Sequence, residues 1–345
     1  MSAILEPVMH AVAFSKSLPV SDPQALIDIE IDKPAPGPRD ILVKVEAVSV
    51  NPVDTKLRLG GDPQGGPRVL GYDAAGTVES VGADVTLFKP GAAVYYAGSV
   101  TRPGTNSEYH LVDERIVGRK PATLDFAKAA AMPLTSITAY ELLFDRIGVA
   151  RGEGVDTRSL LVIGGAGGVG SMAIQLARVL TGLTVIATAS RPETEEWCRS
   201  LGAHHTIDHT QPFAPQLKAL GIPAVDIILG LTGTVGHWDT IGDVIAPQGR
   251  VGVIDGLATV DISKLRGKSA SLHFELMFVR PRDETPDMIA QHDLLDEVAD
   301  LVDTGRVRTT MTKVLHPIDA ATLREAHALV ESGRTIGKIV VARQA

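Results

Sequence analysis

The sequence predicts an α/β protein made of a mainly antiparallel β unit and a doubly wound parallel sheet, and three observations carry that prediction. Short β-branched runs cut by Gly, Pro, Asn and Asp fill the chain from His10 to about Gly118. From Ser159 onward, apolar runs alternate with stretches of helical spacing. Between one such pair lies a glycine-dense turn, Gly164-Gly-Ala-Gly-Gly-Val-Gly170.

Taken in order, Ile41-Leu-Val-Lys-Val-Glu-Ala-Val and Ala75-Gly-Thr-Val-Glu-Ser-Val-Gly82 read as strands of the first unit. Pro34-Ala-Pro-Gly-Pro38 is a stiff turn, and Leu59-Gly-Gly-Asp-Pro-Gln-Gly-Gly-Pro67 a flexible loop near one rim. Near Thr123 the period lengthens. Leu124, Ala127, Ala130 and Ala131, then Ile137, Tyr140, Glu141 and Phe144, read as helical segments joined around Pro133. Five strands follow: Leu160-Leu-Val-Ile163, Thr184-Val-Ile-Ala-Thr188, Thr206-Ile-Asp208, Val225-Asp-Ile-Ile-Leu229 and Arg250-Val-Gly-Val-Ile254. Residues 271–278 make a sixth, and 287–304 an amphipathic helix. Lys313-Val-Leu and Gly337-Lys-Ile-Val-Val341 are strands again, so the tail is expected to rejoin the first unit.

Composition bounds the function. At 345 residues the chain has length for about two domains. Lys and Arg number 33 against 41 Asp and Glu, a balance of −8, and no basic run could track a phosphate backbone, so nucleic acid is not an expected partner. No uninterrupted apolar stretch reaches ~18 residues, so no membrane span is expected. Residues 1–8 lack the basic cluster and apolar core of a signal peptide, which makes a cytoplasmic location the expectation. One cysteine, Cys198, permits no intrachain disulfide and no zinc ribbon, and reads as a helix-packing residue.

Gly165, Gly167 and Gly170 satisfy G-x-G-x-x-G directly after an apolar strand and at the start of a helix. Gly165 is expected to permit the tight turn, and Gly167 to let the backbone approach a pyrophosphate. Gly170 would allow close helix–strand packing, while Gly168 and Val169 open the helix whose N–H groups face the anion. At the end of the next strand Ala189, Ser190 and Arg191 offer a hydroxyl and a guanidinium, with no carboxylate to repel a 2′-phosphate. NADPH is therefore the expected cofactor. Ser190-Arg-Pro-Glu193 also reads as a helix capping box.

With these segments in place, the chain resembles the medium-chain dehydrogenase/reductase superfamily over nearly its whole length, and within it the quinone oxidoreductase branch and the zinc-type alcohol dehydrogenase-like proteins. The phrases that carry the likeness are Ser49-Val-Asn-Pro-Val-Asp-Thr-Lys56, Val69-Leu-Gly-Tyr-Asp-Ala-Ala-Gly76, Leu87-Phe-Lys-Pro-Gly91, Leu134-Thr-Ser-Ile-Thr-Ala-Tyr140 and Gly337-Lys-Ile-Val340. The resemblance implies a GroES-like catalytic domain over residues 1–130 and 281–345, a Rossmann domain over 131–280, and an active-site cleft at their junction. Zinc enzymes of this superfamily place Cys, His and Cys on the catalytic metal. The matching positions here are Asn51, Tyr72 and Leu134, none a good zinc ligand, and the region matching the structural-zinc lobe, 96–114, has no cysteine. No metal is expected, at the neighbouring His204, His205 and His209 either.

Without a Lewis acid, interconversion of plain alcohols and aldehydes is disfavoured. A conjugated acceptor needs less help, because the incoming hydride's charge spreads onto an oxygen that neutral donors stabilise. The expected reaction is zinc-independent hydride transfer from NADPH to a quinone. The alternatives are reduction of the double bond of an α,β-unsaturated carbonyl, or a non-catalytic NADPH-binding role.

By resemblance, Asn51, Asp54 and Tyr72 are the catalytic candidates. Asn51 would donate to the acceptor oxygen or the carboxamide, or act only as a turn former before Pro52. Asp54 would orient Asn51, bind a ribose hydroxyl or cap a helix, and Tyr72 would donate a proton or simply pack. Thr138 is expected at the ribose or nicotinamide, His209 near the adenosine phosphate, and Leu231, Thr232, Ile254 and Asp255 near the cofactor at strand ends. Lys338 would reach a phosphate or sit solvated at a strand edge. A homodimer is expected through the sixth strand, which would otherwise leave an open sheet edge.

Overall fold

A computed structural model of the chain describes residues 8–152, 154–257 and 259–343. The expectation drawn from the first residues lies, for 1–7, outside them. The chain divides into two compact units, one running to Leu134 and resuming at Phe278, the other Thr135–Met277. The sequence reading set these changeovers at 130/131 and 280/281.

The first unit is built on strands β1 (Val8–Phe14), β2 (Ile27–Asp32), β3 (Asp40–Val50), β4 (Arg68–Val69), β5 (Ala74–Val81), β6 (Ala93–Tyr96), β7 (Tyr109–Asp113) and β8 (Val117–Arg119). The second holds β9 (Ser159–Ile163), β10 (Thr184–Thr188), β11 (His205–Ile207), β12 (Val225–Gly230), β13 (Ile245–Val253) and β14 (Ser271–Phe274), and the chain returns to the first with β15 (Met311–Leu315) and β16 (Lys338–Ala342). In the first unit β1 lies between β2 and β4 in a three-stranded sheet, while a seven-stranded sheet runs β15-β16-β3-β5-β6-β8 with β7 also on β3. The tail does rejoin this unit: β16 pairs antiparallel with β3 through Ile339 opposite Val50 and Val340 opposite Ser49. That register sets Lys338 beside the start of the helix Pro52–Leu59. Buried Arg58 of that helix donates to Leu18 O and to Glu331, anchoring it from below.

The second unit is a six-stranded sheet in the order β11-β10-β9-β12-β13-β14, every pair parallel. This is the doubly wound order, with the topological switch between β9 and β12. All five residues of central β9 are buried, which is why it reads as an unbroken apolar run. Leu161, Ile163, Ile186, Ile228, Trp238 and Val253 share one core cluster, each such side chain contributing about 1.5–3 kcal/mol by burial.

The sixth strand is shorter than the sequence predicts. It ends at Phe274, and the apolar stretch continues as irregular chain into Phe278, which packs on Tyr72 in the first unit. The expected 287–304 helix spans Ala290–Asp303. Helix Pro133–Tyr140 passes directly into a π-helical segment, Glu141–Arg146. Among the described residues no helix is long and apolar enough to cross a membrane.

Candidate functional site

In the parallel sheet the carboxyl ends of β9, β10, β12 and β13 gather several of the expected cofactor residues. The Gly164 N–H donates to Thr188 Oγ1 at 3.0 Å, Leu231 N–H to Ile163 O at 3.3 Å, and Ile254 N–H to Gly230 O at 3.3 Å. A Cβ on Gly164 would meet Thr232 Cγ2 at 2.7 Å. The sequence reading gave the tight turn to Gly165, but the left-handed residue is Gly164, with φ +87°. Gly165 is required by packing instead, since a Cβ there would meet Ala187 Cβ at 2.7 Å and Cys198 Sγ at 3.0 Å. Gly170 keeps the role expected of it, a Cβ there colliding with Gly164 O.

Gly167 differs from these. A Cβ there would meet only Gly164 O, at 3.4 Å, and its φ of −72° suits any residue. The protein's own packing makes no demand for glycine at this position. Gly167 is also the N-cap of the helix Gly168–Leu180, which no side chain caps. Gly168 and Val169 are half-buried beside it, so the first-turn N–H groups are available to an anion.

Beyond β10, Arg191 is the N-cap of the helix Pro192–Ser200. Its N–H donates to Thr194 Oγ1 at 3.1 Å, and that hydroxyl donates back to Arg191 O at 2.8 Å. The capping pair is thus Arg191 and Thr194, where the sequence reading paired Ser190 with Glu193. The Arg191 Nε lies 3.3 Å from Glu193 Oε1, half out in solvent. Ala189 is buried, its N–H donating to Ile207 O at 2.9 Å.

Two expected cofactor residues serve locally. Asp255 accepts the Thr234 N–H at 3.0 Å and so caps the helix Thr234–Val244, leaving its Oδ1 and Thr234 Oγ1 unpartnered. His209 is exposed, its ring 6.3 Å from that of His237. His204 Nδ1 accepts the Val185 N–H at 2.9 Å, and its Nε2 lies 2.7 Å from Arg178 Nη1, a strand-end role. Thr138 is buried on helix Pro133–Tyr140. Burial pushes the Cys198 thiol up to about 12, so it is unreactive.

The first unit buries a polar cluster that the sequence reading saw only in part. Asn51, Asp54, Asp73 and Lys338 are each at most 4% exposed. Lys338 Nζ donates to Asn51 Oδ1 at 2.5 Å and Val50 O at 2.9 Å, and lies 3.2 Å from Asp73 Oδ2. Asn51 Nδ2 donates to the same Asp73 oxygen at 2.8 Å. The amide orientation follows, because reversing it would set NH₂ against an ammonium. Lys338 is therefore buried and paired, which corrects the expectation of a solvated strand-edge lysine. Burial drives its pKa down and that of Asp73 up, and each partner's charge opposes the shift of the other.

Asp54 accepts the N–H of Asn51 at 2.7 Å and of Gly71 at 3.1 Å. It ties the helix start to the residue before Tyr72, and so positions both candidates without presenting its carboxylate outward. Burial raises its pKa to about 7 against these hydrogen bonds. Tyr72 is fully buried. Its ring lies edge-on to Phe278 at 5.3 Å, and its hydroxyl accepts from Arg68 Nη2 at 3.1 Å. Burial raises its pKa, and the Arg68 charge works against the rise.

Asp73 and Arg68 were missed from sequence. The signal for Asp73 was present, a carboxylate inside the apolar phrase Val69-Leu-Gly-Tyr-Asp-Ala-Ala. Arg68 had none. The three positions matched to catalytic zinc ligands do not fit the metal: Asn51 is held by Lys338 and Asp73, Tyr72 offers a protonated phenol, and Leu134 contributes its backbone N–H to Asp73 Oδ1 at 2.7 Å. Among the described residues no three His, Cys, Asp or Glu side chains cluster to hold a metal ion.

Residues 37–122 match the family model of the alcohol dehydrogenase GroES-like domain, and residues 201–341 that of a zinc-binding dehydrogenase. A zinc-type alcohol dehydrogenase-like protein of Staphylococcus aureus is 43% identical over 338 residues, covering 96% of this chain and 99% of its own. The 2-methylene-furan-3-one reductase of Solanum lycopersicum is 32% identical, over 87% of this chain and 71% of its own. Among solved structures, a putative zinc-dependent alcohol dehydrogenase from Rhizobium etli superposes with TM-score 0.94 at 56% identity, covering 98% of this chain and 99% of that one. A quinone oxidoreductase from Pseudomonas syringae superposes with TM-score 0.81 at 27% identity, covering 97% and 99%. With matching models at both ends and relatives aligned over nearly its full length, the chain belongs to the medium-chain dehydrogenase/reductase superfamily of oxidoreductases.

Proposed function

We propose that the chain transfers hydride from NADPH to a conjugated acceptor, a quinone foremost, without a catalytic metal. The observation that carries the reading is the donor set at Asn51, Tyr72 and Leu134, which lacks any group fit to hold zinc. A plain carbonyl would need that metal, whereas a quinone needs only a donor to the oxygen on which charge collects.

Tyr72 is such a donor. Arg68 can only donate, so the phenol oxygen is the acceptor in their contact and its own proton is free for another oxygen. Burial keeps that proton in place, and the adjacent guanidinium stabilises the tyrosinate once it has left. Asn51 and Asp54 hold the loop that frames Tyr72. A nicotinamide dinucleotide bound at the glycine turn supplies the hydride. Gly167 and the uncapped helix would take its pyrophosphate, and Ser190 with Arg191 its 2′-phosphate.

Reduction of an enone double bond is the second reading, favoured by the likeness to the tomato reductase. It uses the same groups and differs in the acceptor alone. Both are tested by following NADPH oxidation with quinones, enones and simple aldehydes, with and without a strong chelator. Chelator-resistant turnover of a conjugated acceptor is expected. One tightly held zinc per chain, or ethanol with NADP⁺ outpacing every conjugated acceptor, would overturn the metal-free reading. No turnover with any acceptor would leave a nucleotide-binding protein.

A further inference from the structure

Beside β4 the first unit carries an open groove of about 680 Å³, a size that admits a small organic ligand. Its walls are apolar, made by Phe14, Ile29, Ile31, Leu57, Val69 and Val100, and the glycine-rich loop over residues 60–66 forms one rim. Three charged residues line it. Arg102 is held bidentately by Asp40 at 2.8 and 2.9 Å, and Asp62 takes the Ser17 N–H at 2.7 Å. Arg68 has no carboxylate partner among the described residues. Its Nη2 donates to Tyr72 OH at 3.1 Å and Val100 O at 2.9 Å, which leaves Nε and Nη1 without an acceptor. A guanidinium set in an apolar wall with unused donors is suited to an anionic oxygen, and carboxylate fits its fork.

We infer that this groove binds the acceptor, and that Arg68, which also holds the Tyr72 hydroxyl beneath the lining, selects acceptors carrying a carboxylate on an apolar body. The turnover part rests on the hydride-transfer reading, and the binding part does not. In turnover the hydride of NADPH would add to the β-carbon of a conjugated keto acid. Water entering the open groove would protonate the resulting enolate, giving the saturated keto acid, NADP⁺ and hydroxide.

The test uses matched probes on the full chain: 3-benzoylpropanoate and its methyl ester for calorimetric binding, and 3-benzoylacrylate and its methyl ester for turnover. Wild type should bind the carboxylate about tenfold to a hundredfold more tightly than the ester, and Arg68→Gln should erase that difference by weakening the carboxylate alone. Because Arg68 also holds Val100, Gln64→Glu supplies a second arm. It adds a negative charge to the exposed rim and should weaken carboxylate binding about two- to fivefold with no change for the ester. Equal binding of acid and ester by wild type, or equal losses for both in either variant, would overturn the inference. Charge discrimination without turnover would sustain the groove and defeat the reductase reading. Turnover of acid and ester at equal kcat/KM, with equal binding, would do the reverse.

Discussion

Lys338 on the last strand donates to Asn51 at the head of the first helix at 2.5 Å, across 287 positions of sequence. The contact closes a buried triad with Asp73 in which each polar atom is answered by another. Removing one charge from such a group leaves the other stranded in a low-dielectric interior.

Lys338→Met should therefore cost about 3–5 kcal/mol of stability. Adding Asp73→Asn should recover part of that loss, because the stranded carboxylate goes with it. Urea unfolding of the two single variants and the double variant checks this. Costs that simply add would mean that the pair is not coupled.

At the glycine turn the three motif positions should separate by mechanism. Gly167→Ala should fold with stability unchanged or raised by about 0.4–1 kcal/mol, since its Cβ has room and its φ is ordinary. It should still lose dinucleotide affinity tenfold or more, because the pyrophosphate needs that space. Gly165→Ala should lose stability first, by crowding Ala187 and Cys198. Thermal unfolding read alongside cofactor titration separates the two. Unimpaired cofactor binding by Gly167→Ala would remove the turn from the site.

Cofactor choice should rest on Arg191. Arg191→Ala is expected to weaken NADPH about tenfold to a hundredfold with little change for NADH. The reciprocal variant is Ser190→Asp rather than a change at Ala189, which is 2% exposed and would bury the new carboxylate. Equal losses for both cofactors in Arg191→Ala would assign Arg191 to the helix cap alone.

Beside the edge strand, Arg146 Nε donates to Glu275 at 2.7 Å, and Arg146 Nη2 lies 3.6 Å from Glu141. Burial, and then the neighbouring Glu141 carboxylate, hold the Glu275 carboxyl well above its usual range. The folded chain thus keeps a proton that the unfolded chain releases near pH 4.5. Above that point the folded state binds more protons, so stability falls as pH rises until Glu275 also ionises in the folded state. Glu275→Gln copies the protonated form and should gain about 1–3 kcal/mol on wild type between about pH 5 and about pH 9. A difference that does not vary with pH would show that Glu275 is already ionised at the lower value.

Among the described residues the outer strand β14 pairs only with β13; it ends at Phe274 and is followed by Leu276, 60% and 51% exposed. An open edge with such side chains is suited to pairing with a second copy. Sedimentation should give a dimer at micromolar concentration, and Phe274→Glu with Leu276→Glu a folded monomer. A monomeric wild type would remove the dimer from the proposal.

What the sequence determined by itself was local and periodic. The buried run at 160–163, the alternation after it and the glycines of the turn specify a parallel sheet with an anion-ready helix, because strand, turn and helix propensities act over a few neighbouring residues. The phrases around Asn51 and Tyr72, singled out by resemblance, are two segments that the fold sets side by side, the Asn51 amide reaching Tyr72 O at 3.4 Å. Only the tertiary structure decided what those residues touch. Lys338 looked like a strand-edge cation until β16 set it against Asn51 and Asp73. Gly165 looked like the turn residue until β10 and Cys198 closed on it, leaving the left-handed backbone to Gly164. Arg68 carried no signal, since its meaning lies in Tyr72 four residues on and Val100 thirty-two residues on. A buried charge is defined by the partner that answers it, and that partner is chosen by the folding of distant segments onto one another rather than by any spacing along the chain.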